Sequence, residues 1–124
     1  MGPPQRKRIV LVEDEPDLRE LLHLALRKRY DVVAVAMGDA ALDAVESHRP
    51  HLLILDIHIP HKNGFEISEQ VRAKSHLKSI PILFLSGRSD AWSEARAKRA
   101  GGDGFMKKPF EVNALLARIE ALTA

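Results

Sequence analysis

Polar residues of a chemically useful kind stand behind each of four short apolar runs. Asp56 closes Leu52-Leu53-Ile54-Leu55, Glu13 and Asp14 close Ile9-Val10-Leu11-Val12, Ser86 closes Ile82-Leu83-Phe84-Leu85, and Lys107-Lys108 follow Gly104-Phe105-Met106. An ionised carboxylate is not left alone inside a buried strand, because desolvating the charge is costly or forces a pKa shift. Asp56 is therefore expected where its strand emerges. Should Glu13, Asp14 and Asp56 meet there, they stay ionised together only beside a counter-charge. A hard divalent cation with oxygen ligands, Mg²⁺ (or Mn²⁺), meets that need with few protein ligands and several waters. A carboxylate nucleophile, a cation, the Ser86 hydroxyl and the Lys108 ammonium match the needs of phosphoryl transfer: an attacking oxygen, plus positive charge and donors for the equatorial oxygens.

The elements that must position these groups can be read from the apolar pattern. Four branched apolar residues in a row fit a strand buried on both faces, as in a parallel sheet. After the first strand, Pro16 suits the first turn of a helix, with Glu15 and Asp17 at its positive end. Leu18, Leu21, Leu22, Ala25 and Leu26 form its apolar face, and Arg27-Lys28-Arg29 close it. Val32 to Ala36 reads as a strand. Gly38-Asp39 breaks it and can cap a helix from Ala40 to about Ser47, with Leu42 and Val45 inward, before Pro50. Pro60 and Gly64 bound a loop, and Phe65, Ile67 and Val71 predict a helix to about Ala73. Pro81 opens the strand that ends at Ser86-Gly87. A helix from about Asp90 to Ala100 has a thin apolar face, Trp92 and Ala95, and Gly101-Gly102 signals its end. Gly104 to Met106 makes a short strand. The last helix begins near Glu111 and buries Val112, Leu115, Leu116, Ile119 and Leu122.

Five strands alternating with five helices predict an α/β domain with a parallel sheet covered on both faces. Two doubly wound strand orders are common, and one of them, 2-1-3-4-5, has its switch point between the first and third strands. In that order Glu13, Asp14 and Asp56 converge on one crevice, with Ser86 and Lys108 at neighbouring strand ends.

At this point the chain resembles the response-regulator receiver domains of two-component signalling. The resemblance is carried by Glu13-Asp14, by Asp56 with Pro60 and Gly64 four and eight residues later, by Ser86, and by Phe105-Met106-Lys107-Lys108-Pro109-Phe110. It covers Ile9 to about Leu122, and divides the chain into a flexible N-terminal segment, residues 1–8, and a receiver domain, residues 9–124. The resemblance implies a flavodoxin-like, doubly wound sheet of five parallel strands in the order 2-1-3-4-5. It implies that Asp56 takes a phosphoryl group from a phosphohistidine on a histidine kinase or histidine phosphotransfer protein. Mg²⁺ would be held by Asp14, Asp56 and the backbone carbonyl of His58, with Glu13 acting mainly through water. Ser86 would bond one phosphoryl oxygen and Lys108 another, and the Lys108–Pro109 bond would be cis. Phe105 would turn inward as Ser86 moves. The fourth helix, fifth strand and fifth helix would then act on a downstream protein, a fused output domain or a second copy in a homodimer. The domain itself would touch neither nucleic acid nor membrane, and would promote its own phosphorylation and dephosphorylation rather than act as a turnover enzyme. Ser86 and Phe105 replace the more frequent Thr and Tyr, and Gly87 stands where Ala is usual. His58 and Arg88 occupy the positions lining the route of attacking water, which implies an effect on acyl-phosphate lifetime.

Composition is consistent with this. At 124 residues and 45% hydrophobic, the chain has the makings of one packed domain. It carries no cysteine, so disulfides and thiolate metal sites are excluded, as suits a cytoplasmic protein. No apolar run is long enough to span a bilayer or to serve as a secretory signal. A net charge of +2 is too balanced to predict nucleic-acid binding. Plainer readings exist: Glu13 and Asp14 could serve only the following helix N-terminus, Lys107 reads as solvated charge, and Arg96, Lys98 and Arg99 read as a solvated helix face or an acidic-partner dock. Trp92 reads as a contact anchor or as cover for the core edge. An FMN module is disfavoured, because Glu13-Asp14-Glu15 would repel phosphate where such a module needs Ser, Thr and Gly. A Mg²⁺-dependent phosphohydrolase is disfavoured by the lack of a second acid/base and of length for a cap. A phosphate-independent interaction module is opposed by the intact polar set.

Overall fold

The computed structural model describes residues 6–59, 62–87 and 91–124. Met1 to Gln5, Pro60, His61 and Arg88 to Asp90 lie outside the described residues. The elements are β1 (Arg8–Val12), α1 (Pro16–Leu26), β2 (Asp31–Val35), α2 (Gly38–His48), β3 (Leu52–Asp56), α3 (Gly64–Ala73), β4 (Ile82–Ser86), α4 (Ala91–Arg99), β5 (Gly104–Lys107) and α5 (Val112–Leu122). All strand pairs are parallel, in the order β2-β1-β3-β4-β5. This is the flavodoxin-like α/β fold with its switch point between β1 and β3.

The two-residue period of a strand splits the apolar runs between two cores. Val10, Val12, Leu53, Leu55, Ile82 and Phe84 point to one face and pack with Ala41, Val45, Ile67, Val71 and Ala97 of α2, α3 and α4. Ile9, Leu11, Leu52, Ile54, Leu83 and Leu85 point to the other and pack with Leu22, Leu26, Leu115 and Ile119 of α1 and α5. Every residue of β3 and β4 is buried, which is why their sequences are continuous rather than alternating.

Several expected helix faces are corrected. In α1, Leu22 and Leu26 carry the packing, whereas Leu21 is 55% exposed because it falls at the edge of the stripe. In α2, Gly38 and Asp39 lie inside the helix; Met37 is the N-cap residue, without a side-chain cap bond. The reason for glycine at 38 is space, since a Cβ there would lie 2.7 Å from the Lys62 carbonyl oxygen. In α4 the inward residues are Ser93 and Ala97, with Ala100 buried just past its end, and Trp92 is 64% exposed. Beyond the helix Gly102 is pressed onto the Phe84 ring, where a Cβ would lie 2.6 Å from its edge. In α5 Leu115 and Ile119 are fully buried, while Val112, Leu116 and Leu122 are partly so. Gly101 ends α4 with φ of 100°, as its position predicts.

Candidate functional site

Asp56 is the last residue of β3 and is only 4% exposed. The chain turns directly after it: Ile57 N–H donates to the Leu85 carbonyl at 3.1 Å, and Gly64 N–H donates to the Ile57 carbonyl at 3.0 Å. The turn brings His58 N–H back to donate to Asp56 Oδ1 at 3.1 Å. Asn63 caps α3, its Oδ1 accepting from Glu66 N–H at 3.0 Å, and so fixes the far end of the loop. Gly64 lies against the Asp56 peptide, since a Cβ there would fall 2.6 Å from the Asp56 carbonyl oxygen and 3.1 Å from Ile57 Cα. Gly64→Ala is therefore expected to cost about 1–3 kcal/mol, the range for overpacking. Chemical denaturation measures it; an unchanged midpoint would show that the loop yields freely.

Glu13 and Asp14 leave the neighbouring strand β1, which pairs with β3 from Ile9↔Leu52 to Val12↔Leu55. Glu13 N–H donates to the Val35 carbonyl at 3.0 Å, and Glu15 N–H donates to Glu13 Oε2 at 3.2 Å. Arg19 reaches back from α1, its Nη1 donating to the Glu13 carbonyl at 3.0 Å. One carboxylate oxygen from each of Glu13, Asp14 and Asp56 can be chosen so that all three lie within 4.8 Å of one another. Glu13 is fully buried and Asp14 half-buried.

Lys108 supplies the positive charge from the opposite wall. Its Nζ donates to Glu13 Oε1 at 2.6 Å and to Asp56 Oδ2 at 2.9 Å. The register Ser86↔Lys107 aligns β5 with β4, Lys108 N–H donates to the Ser86 carbonyl at 2.7 Å, and the Lys108–Pro109 peptide is cis. Burial pushes the Glu13 carboxyl up from 4.5 to about 7; the Lys108 bond works against this, and the Asp56 bond and charge add to it. Burial alone would lower the Lys108 ammonium, but its bonds to Asp56 and Glu13 prevail and hold it above its ordinary value.

The crevice thus gathers Glu13, Asp14, Asp56 and Lys108. Ser86 is fully buried at the adjoining strand end. His58 is exposed, and Arg88 lies outside the described residues. Phe105 is half-buried, opposite Phe84 in register, and packs on the α2-α3-α4 core. The acidic donor set suits a hard divalent cation, being all oxygen with a raised-pKa carboxyl that such a cation would keep ionised. Two contributors escaped the sequence reading. The Asn63-to-Glu66 spacing was a usable cap signal; Arg19 had none, since one arginine on a polar helix face looks like any other.

Fold and crevice together define a doubly wound α/β domain with an acidic, lysine-countered crevice, and the chain belongs to the response regulator receiver domain family, which matches residues 9–120. The family serves signal transduction in two-component systems rather than metabolic turnover, and its partners are histidine kinases. The chain is 35% identical over 117 residues to the DNA-binding response regulator MtrA of Mycolicibacterium smegmatis, covering 94% of this chain and 50% of that protein. It spans about half the length of the curated relatives it matches. The chemotaxis response regulator CheY4 of Vibrio cholerae has the same fold, with a TM-score of 0.90 at 28% identity over 95% of this chain and 99% of that one. The receiver domain of the sensor histidine kinase PA1611 from Pseudomonas aeruginosa has a TM-score of 0.88 at 25% identity, covering 95% of this chain and 98% of that one, and holds a magnesium ion coordinated in its active site cleft. Among the described residues, no helix is long and apolar enough to cross a membrane.

Proposed function

We propose that this chain is a phosphorylation-controlled switch in a cytoplasmic two-component pathway, with Asp56 as its phosphoacceptor. The observation that carries this reading is the Lys108 ammonium seated between Asp56 and Glu13, with the Asp14 carboxylate beside them. The donor is a phosphohistidine of a histidine kinase or histidine phosphotransfer protein. An Asp56 carboxylate oxygen forms a bond to phosphorus as the bond from phosphorus to the imidazole nitrogen breaks, and the imidazole leaves with that electron pair and takes up a proton. Asp14, Asp56 and the His58 backbone carbonyl would hold Mg²⁺ (or Mn²⁺), with Glu13 acting through water. Bound there, the cation would supply positive charge to the phosphoryl oxygens. Lys108 trades its Asp56 contact for a phosphoryl oxygen, and Ser86 donates its hydroxyl to another.

The added charge and acceptor oxygens then bias Ser86 and Phe105, and through them the α4-β5-α5 face. That face already holds a cavity of about 300 Å³ between Lys98, Phe105 and Arg118. Its target is a downstream protein, a second copy of the chain, or an output domain in a longer protein such as the DNA-binding relatives. The receiver itself contacts protein, not nucleic acid.

Incubation with a small phosphodonor and Mg²⁺, read by intact mass, is expected to add one phosphoryl group, and only with the divalent cation present. No gain under any donor would overturn the reading. Where uptake occurs, His58→Ala and Arg88→Ala are expected to shorten the half-life of the product by opening the route of water. Unchanged half-lives in both would remove these residues from lifetime control.

A further inference from the structure

At the edge of the sheet opposite Asp56, where the strands begin, Arg6, Arg8, Asp31, His48, Arg49 and His51 surround a cavity of about 240 Å³. Three separate segments are fastened together there. Arg8 N–H donates to His51 Nδ1 at 2.9 Å, His51 N–H donates to the Arg8 carbonyl at 2.8 Å, and Asp31 N–H donates to the Lys7 carbonyl at 3.0 Å. Arg6 Nη1 donates to the Arg27 carbonyl at 2.5 Å, and Arg8 Nη1 donates to the His48 carbonyl at 3.1 Å. Each of these guanidiniums is anchored through one nitrogen and keeps other N–H groups for a further acceptor. The ion pairs formed among the described residues involve Arg72, Lys74, His76, Arg96 and Lys108, and none of Arg6, Arg8 or Arg49. Asp31 is the single acid among these lining residues, against three arginines.

Arg49 is the informative residue. It closes α2 in the left-handed conformation, with φ of 44°. Glycine or asparagine holds that position at low strain. The chain instead accepts a strained backbone and gains a third guanidinium on the cavity wall. His51 adds a donor, because Nδ1 accepts a backbone N–H and the ring proton therefore sits on Nε2. Guanidinium groups bind oxyanions through paired, charge-assisted hydrogen bonds. The cavity is smaller than the ~300–1,000 Å³ typical of sites for drug-sized ligands, which favours a compact anion over a whole cofactor.

We propose that this cavity binds a compact, multiply charged phosphate: inorganic pyrophosphate or the diphosphate end of a nucleotide. It is separate from the Asp56 crevice, because parallel strands place the two sites at opposite ends of the sheet.

Calorimetric titration of the whole chain with inorganic pyrophosphate, in buffer free of divalent cations, tests this. Saturable binding at a single site is expected, weakening as salt is raised. Arg49→Gly relieves the left-handed backbone while deleting the charge, and is expected to weaken binding about tenfold or more. Asp31→Asn removes the opposing carboxylate and is expected to tighten it. Thermal unfolding of both variants checks that the fold persists. Adenosine diphosphate in a parallel titration separates the sources: affinity equal to that of pyrophosphate assigns the site to a nucleotide's diphosphate end, and much weaker binding assigns it to the free inorganic anion. Absence of saturable binding at millimolar pyrophosphate, or affinity unchanged in both variants, would overturn the proposal.

Discussion

With asparagine in place of Asp56, phosphoryl uptake is expected to vanish while the fold loses little stability at pH 8. The amide keeps the shape of the carboxylate, but its single carbonyl oxygen can accept from only one of His58 N–H and Lys108 Nζ, where Asp56 accepts from both, at 3.1 and 2.9 Å. The amide cannot supply the anionic oxygen that attacks phosphorus. The stability half follows from the neighbours. Asp56 helps hold the Glu13 carboxyl up at about 7, through its bond and its charge. A carboxyl whose folded pKa is raised binds a proton in the native state that the unfolded chain has released. For Glu13 that window runs from 4.5 to about 7, so stability falls as pH rises through it and stays reduced above it. Asp56→Asn removes one cause of the rise, lowers the Glu13 value and returns part of that stability at pH 8. Lys108 keeps its bond to Glu13 at 2.6 Å, so no charge is orphaned. Intact mass after incubation with phosphodonor and Mg²⁺ reads the first half, and urea denaturation at pH 8 reads the second. A phosphoryl group still gained by the variant would move the acceptor elsewhere.

The strands and the residues of the crevice were legible because they rest on short-range signals, whereas the apolar pattern left two strand orders open and the resemblance chose between them. Four all-apolar runs ending in polar residues specify buried parallel strands, and such strands put their ends at one edge. Glu13, Asp14, Asp56 and Lys108 were each singled out by standing at such an end, and the fold brings them together. What escaped depends on the third dimension. Arg72 donates to the carbonyls of Gly101, Lys78 and Ile80 and to Asp103, tying α3 to the segments that precede β4 and β5. Nothing local to Arg72 announces those partners. The α4 face was misread for a related reason. Trp92 and Ala95 were its conspicuous apolar residues, but the residues the helix buries are the small Ser93 and Ala97, with Ala100 just past its end.

That misreading bears on function. A helix seated through small residues buries little apolar area, and the hydrophobic hold scales with that area. At its rim Trp92 meets Phe65 edge-on at 6.4 Å, Arg96 stacks over the Phe65 ring at 4.8 Å, and Arg96 pairs with Glu69 at 3.0 Å, while at its end the Ser68 hydroxyl donates to the Ala100 carbonyl at 2.7 Å. Exposed ion pairs and cation–π contacts each contribute roughly 1 kcal/mol or less. Phe105 lies at its border, lining the same cavity as Lys98, so the switch proposed for Ser86 would act on this helix.

Methionine in place of Lys108 is expected to make stability steeply dependent on pH. The ammonium is the counter-charge that the structure supplies to two buried carboxylates, Glu13 and Asp56. Its own pKa is raised, so its stabilisation is fully present below 10.5 and is lost only as pH climbs through the higher folded value; at pH 8 the wild-type chain has all of it. Removing it also removes the contact that pulls the Glu13 value down, and Glu13 then titrates above 7. At pH 5.5 Glu13 is protonated in both proteins, so the loss there is confined to the Asp56 contact and is smaller than at pH 8. At pH 8 the variant must either bury two unpaired carboxylates or carry a proton against the solution pH. Breaking a buried pair on one side costs about 3–5 kcal/mol, and the lower end of that range applies because Lys108 is 19% exposed. Mg²⁺ offers a replacement charge, so it should stabilise Lys108→Met more than wild type at pH 8 and do little for either at pH 5.5. Denaturation midpoints at the two pH values, with and without Mg²⁺, decide the matter. Parallel loss at both pH values would mean that the lysine acts through packing of its aliphatic stem, and that the acidic groups find their balance elsewhere.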